Sequence, residues 1–263
     1  MNRLELTTRD SFSNPLYAIE EFSDIGTCDV QEDAVGCLIE GNTAVMVLCD
    51  GIGGLERGEL ASGKAVQTIL DCARKYEWKE NPQTFLEYLI EEANRAVFEL
   101  TDEENIPLQG GCTLVLLLTV GRRVYWANVG DSRAYIIKKD GMYRLTEDHN
   151  YSEQLKKELR DNRISEEEYE VLKTKGAALT SYLGMGELKE RFLCKEPLLL
   201  DREEVLLVES DGLYKLLEEE QIRQIVRKNV RCLDVVGEEL LVSAKEHVEN
   251  YQDNTSIILF RMK

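Results

Sequence analysis

The chain predicts an α+β layered fold, with strands gathered into sheets and helices packed outside them. Three observations predict it. β-rich apolar runs cluster in the middle of the chain, two amphipathic helical patterns precede them, and further helical patterns lie between two late strands.

The first run, Ala44 to Leu48, is short and apolar and ends at Cys49-Asp50-Gly51, as expected of a buried strand. From Glu59 to Arg74, Ala61, Ala65, Ile69, Cys72 and Ala73 recur at helical spacing, and a second helix after Pro82 puts Phe85, Leu86, Leu89, Ile90, Ala93, Val97 and Leu100 on one face. Both should pack on a sheet. Thr113 to Val120, Val124 to Val129 and Ala134 to Ile137 are separated by short polar turns and read as an antiparallel meander. Tyr151 to Gly176 is rich in Glu, Lys and Arg and reads as a solvated helical insertion. Val205 to Val208 and Ser256 to Phe260 supply later strands, with helical patterns between Leu216 and Val248. With no repeat, low-complexity stretch or linker, residues 1–263 are expected to form one domain carrying the insertion at 151–176.

At 263 residues and 43% hydrophobic, the chain can build a sizeable core. Its 50 acidic against 32 basic residues give a net charge of −18, which argues against general nucleic-acid or anionic-membrane binding. The seven cysteines are odd in number, lack Cys-x-x-Cys spacing and fall partly inside apolar runs, so they read as small core residues in a reducing compartment. The first 25 residues lack the apolar core of a secretory signal. No run approaches the roughly 20 apolar residues of a membrane helix. The expected location is cytoplasmic.

Four aspartates carry the functional signal. Asp50, Asp131, Asp211 and Asp253 each close or follow an apolar run beside a residue that lets the backbone turn, in Asp50-Gly51, Gly130-Asp131, Asp211-Gly212 and Asp253-Asn254. Singly, each is an ordinary turn dipeptide. Together they suggest one carboxylate-lined site for a hard cation such as Mg2+ or Mn2+.

Further motifs run in a familiar order. Gln31-Glu32-Asp33-Ala34, Cys49-Asp50-Gly51-Ile52-Gly53-Gly54 and Gly58-Glu59-Leu60-Ala61-Ser62 open the series, followed by Gly110-Gly111-Cys112-Thr113 and Ala127-Asn128-Val129-Gly130-Asp131-Ser132-Arg133-Ala134. Leu145-Thr146-Glu147-Asp148-His149, Leu179-Thr180-Ser181-Tyr182-Leu183-Gly184, Glu209-Ser210-Asp211-Gly212-Leu213 and Asp253-Asn254-Thr255-Ser256 complete it. This series resembles the metal-dependent serine/threonine protein phosphatases of type 2C, in their bacterial form, over nearly the whole chain.

The resemblance implies a four-layer αββα sandwich, two central antiparallel β-sheets flanked by helices, with the metals at one end of the sheets. It implies two Mn2+ or Mg2+ ions, bridged by Asp50, with Glu32 and the Gly51 carbonyl on one side and Asp211 and Asp253 holding the other ion. Asp33 would grip metal-bound water, and Asp131 matches a position that helps bind a third, weaker ion. Asp50, Asp33 and Asp211 are the implied catalytic residues. The implied reaction is hydrolysis of phosphoserine or phosphothreonine by attack of a metal-bridging water, without a covalent phosphoenzyme. Consistent with that, the chain has neither Gly-x-Ser-x-Gly nor a recognisable cysteine phosphatase signature. The implied partner is a phosphorylated protein, opposite a serine/threonine kinase, and the chain is expected to act as a monomer. The charged segment at 151–176 falls where relatives carry a flap beside the active site.

Two positions depart from the pattern. Cys28 stands where many relatives place a phosphate-clamping arginine, and Ile52 where eukaryotic relatives place a histidine. Arg57 reads as a solvated loop residue, His149 as a packed or capping group and His247 as a helix-surface residue. The alternative to an enzyme is a pseudophosphatase, a binding module that keeps the fold without turnover. Cys28 favours that alternative; the complete acidic set favours the enzyme.

Overall fold

The computed structural model describes residues 7–53 and 57–263. Gly54 of the second motif lies outside the described residues. Among the described residues, twelve strands and seven α-helices follow one another: β1 (Thr7–Ser13), β2 (Tyr17–Asp24), β3 (Asp33–Glu40), β4 (Thr43–Asp50), α1 (Gly58–Lys75), α2 (Pro82–Phe98), β5 (Leu114–Val120), β6 (Arg123–Val129), β7 (Arg133–Ile137), β8 (Met142–Arg144), α3 (Tyr151–Arg160), α4 (Glu166–Leu172), β9 (Phe192–Leu193), β10 (Leu198–Leu199), β11 (Val205–Glu209), α5 (Asp211–Tyr214), α6 (Glu219–Lys228), α7 (Leu233–Glu246) and β12 (Thr255–Met262).

These strands form two antiparallel sheets. One runs β1-β2-β12-β11-β7-β8; the other runs β10-β6-β5-β4-β3, with β9 also paired to β6. The unbroken apolar runs of β4 and β5 follow from this stacking. Along β4, Ala44, Met46 and Leu48 enter the core between the sheets, while Val45, Val47 and Cys49 enter a second core. A strand covered on both faces has no polar face to show, so the period of two disappears from its sequence. Ala61, Ala65 and Ile69 of α1 and Leu86, Leu89, Ile90 and Ala93 of α2 close that second core. A third core packs α6 and α7, through Ile222, Val226, Val236, Leu240 and Leu241, onto the β11–β12 face of the other sheet. The layers are helix, sheet, sheet, helix.

The expected meander at 113–137 is corrected. β5 and β6 pair, but β7 leaves them and pairs with β11 and β8 in the opposite sheet. The crossing occurs at Gly130-Asp131-Ser132, where Gly130 adopts φ 93° with the Thr113 side chain packed against it. A side chain at that φ would be strained, so the corner that places Asp131 depends on glycine. Leu100 also lies beyond the end of α2 and packs on the core from the following loop.

α3 and α4 fulfil the helical expectation for the charged segment. Asn150 caps α3 by accepting from the Glu153 N–H at 3.1 Å, and Ser165 and Glu168 form a reciprocal capping box on α4. Among the described residues, no helix is long and apolar enough to cross a membrane.

Candidate metal centre

Five chain segments deliver carboxylates to one end of the two sheets. Asp33 opens β3 and Asp50 closes β4, and the antiparallel register sets them directly opposite each other. Glu32 precedes β3, Asp131 sits in the corner between β6 and β7, Asp211 starts α5 after β11, and Asp253 lies two residues before β12. Glu32, Asp50, Gly51, Asp131, Asp211 and Asp253 all line one cleft of about 510 Å³, with Cys28, Ile52, Thr113, Leu179, Tyr182, Tyr251 and Asn254 around them. Asp33 is buried behind the cleft. The sequence-derived acidic set is therefore brought together, with Asp33 set back from the rest.

Close backbone approach makes this convergence possible. A Cβ on Gly51 would stand 2.7 Å from the Glu32 and Gly58 carbonyl oxygens, and one on Gly212 would stand 2.1 Å from the Asn254 oxygen. Gly212 thus lets the start of α5 lie against the turn that carries Asp253. Thr113 fixes Asp50 from the neighbouring strand: its Oγ1 accepts from the Asp50 N–H at 3.0 Å and its own N–H donates to the Asp50 carbonyl at 2.8 Å.

Polar side chains that the sequence reading did not single out hold the rest. Asn254 Oδ1 accepts from the Glu32 N–H at 2.7 Å, while its Nδ2 donates to the Ile25 and Val30 carbonyls at 2.9 and 3.2 Å. Ser210 Oγ donates to Asp33 Oδ2 at 2.8 Å and accepts from the Ser256 N–H at 2.9 Å. Asn150 Nδ2 donates to Asp131 Oδ2 at 3.3 Å. Lys215 bonds Asp211 Oδ2 and stands 3.9 Å from Asp253 Oδ2. Asn254 and Ser210 lie inside quoted motifs, so their positions carried a signal; Lys215 had none.

Burial together with mutual repulsion strains this cluster electrostatically. Burial first, then Asp33, Asp211, Asp131 and Asp253, raises the Asp50 carboxyl well above its usual range. Burial lifts Asp33 to about 7 against the lowering effect of Ser210 and Ser256, with Asp211 and Asp253 adding to the rise. Asp131 rises to about 6 through burial and then Asp211. Asp211 also rises through burial, opposed by Lys215. Buried carboxylates crowded together favour a cation that neutralises them.

The donor chemistry fits a hard divalent ion. The set is carboxylate-rich, and Asp33 Oδ1 is buried without a hydrogen-bond partner. The oxygens do not form a closed cage: among the described residues, no three His, Cys, Asp or Glu groups stand ready as a chelating set. Lys215 bonds one of these carboxylates, Asp211, and stands 3.9 Å from a second, Asp253.

The remaining expectations fall out as follows. Cys28 does face the cleft, with Sγ 3.2 Å from the Tyr251 hydroxyl and 3.9 Å from Asp253 Oδ1. Arg57 is exposed and pairs with Glu59 at 2.8 Å. His149 is buried, its Nδ1 accepting from the Gly130 N–H at 3.1 Å, which is a structural role. His247 is the exposed residue capping the end of α7. All seven cysteines are free, although Cys28 and Cys72 are half-buried and Cys232 is exposed rather than in the core.

Residues 39–250 match the family model described as Protein phosphatase 2C. A serine/threonine phosphatase, stp, of Listeria innocua is 30% identical over 225 residues, covering 82% of this chain and 83% of the relative. The crystal structure of serine/threonine phosphatase Stp1 from Staphylococcus aureus superposes with a TM-score of 0.77 at 27% identity, covering 93% of this chain and 94% of that one. The catalytic domain of the serine/threonine phosphatase PstP, solved with two manganese ions, shares the fold at 22% identity with a TM-score of 0.73, covering 94% and 98%. Acidic cleft, layered fold and family match agree: the chain belongs to the protein phosphatase 2C family and is a bacterial-type, metal-dependent serine/threonine protein phosphatase.

Proposed function

We propose that two divalent ions, Mn2+ or Mg2+, would be held here, one by Asp50, Glu32 and the Gly51 carbonyl and the other by Asp50, Asp211 and Asp253. Asp131 offers a place for a third. Two manganese ions in the PstP catalytic domain support the stoichiometry. When bound, such ions supply an activated water and neutralise charge on the transferring phosphoryl group.

The chain's own residues do the rest. Asp50, held at both backbone groups by Thr113, orients the pair of ion positions. Asp33, held by Ser210 and buried behind the cleft with Oδ1 unpartnered, would position water bound there. Ile52 donates no proton, so no side chain at that position assists the leaving group. Cys28 places its thiol among the residues lining the cleft.

The substrate is a phosphorylated protein, which we place opposite a serine/threonine kinase in the cytoplasm, with the chain acting as a monomer. Residues 1–263 are read as one catalytic domain in which 151–176 forms a flap-like insertion; Ala177, Ala178 and Leu179, just after it, line the cleft. One observation carries the reading: five carboxylates from separate segments meet in one cleft. The test is equilibrium binding of Mn2+ to Asp253→Asn, which should lose the weaker binding step; wild-type binding would remove Asp253 from the ligand set. The comparisons give the binding-module alternative no support, since the family model and the relatives matched over most of the chain are named as phosphatases.

A further inference from the structure

Lys215 follows the last residue of α5, and its N–H donates to the Asp211 carbonyl at 3.0 Å. That single turn brings side chains four apart together on one surface. The Lys215 ammonium bonds Asp211 Oδ2 and stands 3.9 Å from Asp253 Oδ2. It therefore addresses the same two carboxylates that the proposed ligand set gives to one divalent ion. The Lys215 side chain is 50% exposed, against 19% for Asp211, so the lysine has room to swing into solvent while Asp211 is held in place. A four-carbon stem and a compact charge suit a cation that can withdraw.

We propose that Lys215 is a tethered competitor of the divalent ion held by Asp211 and Asp253, setting that ion's affinity. An ion entering between these carboxylates displaces the ammonium from Asp211 Oδ2, and the lysine charge close by opposes the second positive charge. The inference rests on the ligand roles proposed above for Asp211 and Asp253. Among the described residues, no lysine or arginine lines the cleft itself, so Lys215 reaches these carboxylates from its edge.

Calorimetric titration of Mn2+ into the full chain at fixed pH and ionic strength tests this without an activity readout. Lys215→Met should tighten the weaker Mn2+ step by about three- to tenfold, and Lys215→Arg, which keeps the charge, should stay within about twofold of wild type. Asp211→Asn in parallel reports on the underlying ligand assignment. Unchanged or weaker binding in Lys215→Met, while Asp211→Asn loses that step, overturns the competitor role alone. Unaltered binding in Asp211→Asn overturns the ligand assignment and the competitor role with it.

Discussion

The Ser210 hydroxyl donates to Asp33 Oδ2 at 2.8 Å, tying the end of β11 in one sheet to the start of β3 in the other. Both groups are buried, and Ser210 is in turn fixed by the Ser256 N–H. Ser210→Ala leaves a buried carboxylate oxygen without its donor, at a cost of about 1–3 kcal/mol. We expect a lower Tm and, because supporting partners of a metal site typically matter at this level, a kcat lower by about tenfold. A variant with wild-type Tm and kcat would show that this bond supports neither fold nor catalysis.

Cys28 faces the cleft with a thiol rather than a guanidinium. Cys28→Arg supplies a guanidinium there, and a charge-assisted bond to phosphate should lower KM for p-nitrophenyl phosphate by about tenfold with little change in kcat. An unchanged or higher KM would mean that position 28 does not meet the phosphate.

Gly212 is required by contact. A Cβ there would stand 2.1 Å from the Asn254 backbone oxygen, which cannot yield without moving the Asp253 turn away from α5. Gly212→Ala should destabilise the protein by about 1–3 kcal/mol and weaken Mn2+ binding together. Thermal melts with and without Mn2+ separate the two effects, and a fully tolerated alanine would contradict the close approach.

Much of this was legible in the sequence, for reasons that differ between elements. β4 and β5 are covered on both faces and read as apolar runs, and α1 and α2 bury one stripe each, so periodicity found them. β1 had no such signal: most of its residues are exposed at a sheet edge. β2 mixes Glu20, Glu21, Ser23 and Asp24 into its run, and those polar residues hide a strand that is buried along most of its length. The sheet switch at Gly130 is a tertiary event that short polar turns do not encode. In the site, acidic side chains beside turn residues were legible; Lys215 was not, because its role depends on one helical turn bringing it back to Asp211.

Glu21 provides a pH test away from the cleft. It is 5% exposed, with one carboxylate oxygen unpartnered, and burial raises it to about 7, with Asp10 adding to the rise and Cys37 opposing it. A carboxyl raised on folding contributes stability that is fully present below its unfolded value and is lost as pH rises through the folded one. The Glu21 contribution should therefore decline from pH 5 to 8. Glu21→Gln, a neutral isostere, should flatten that part of the Tm profile and gain up to about 3 kcal/mol at pH 8. Parallel wild-type and variant profiles would refute the assignment.

The most direct test of the central claim is hydrolysis of p-nitrophenyl phosphate and of a phosphothreonine peptide with Mn2+, Mg2+ or EDTA, comparing wild type with Asp50→Asn and Asp211→Asn. The account predicts turnover by the wild type with a divalent ion, none in EDTA, and loss of metal-dependent turnover in both variants. Near-normal turnover in either variant, or wild-type turnover that persists in EDTA, would contradict it.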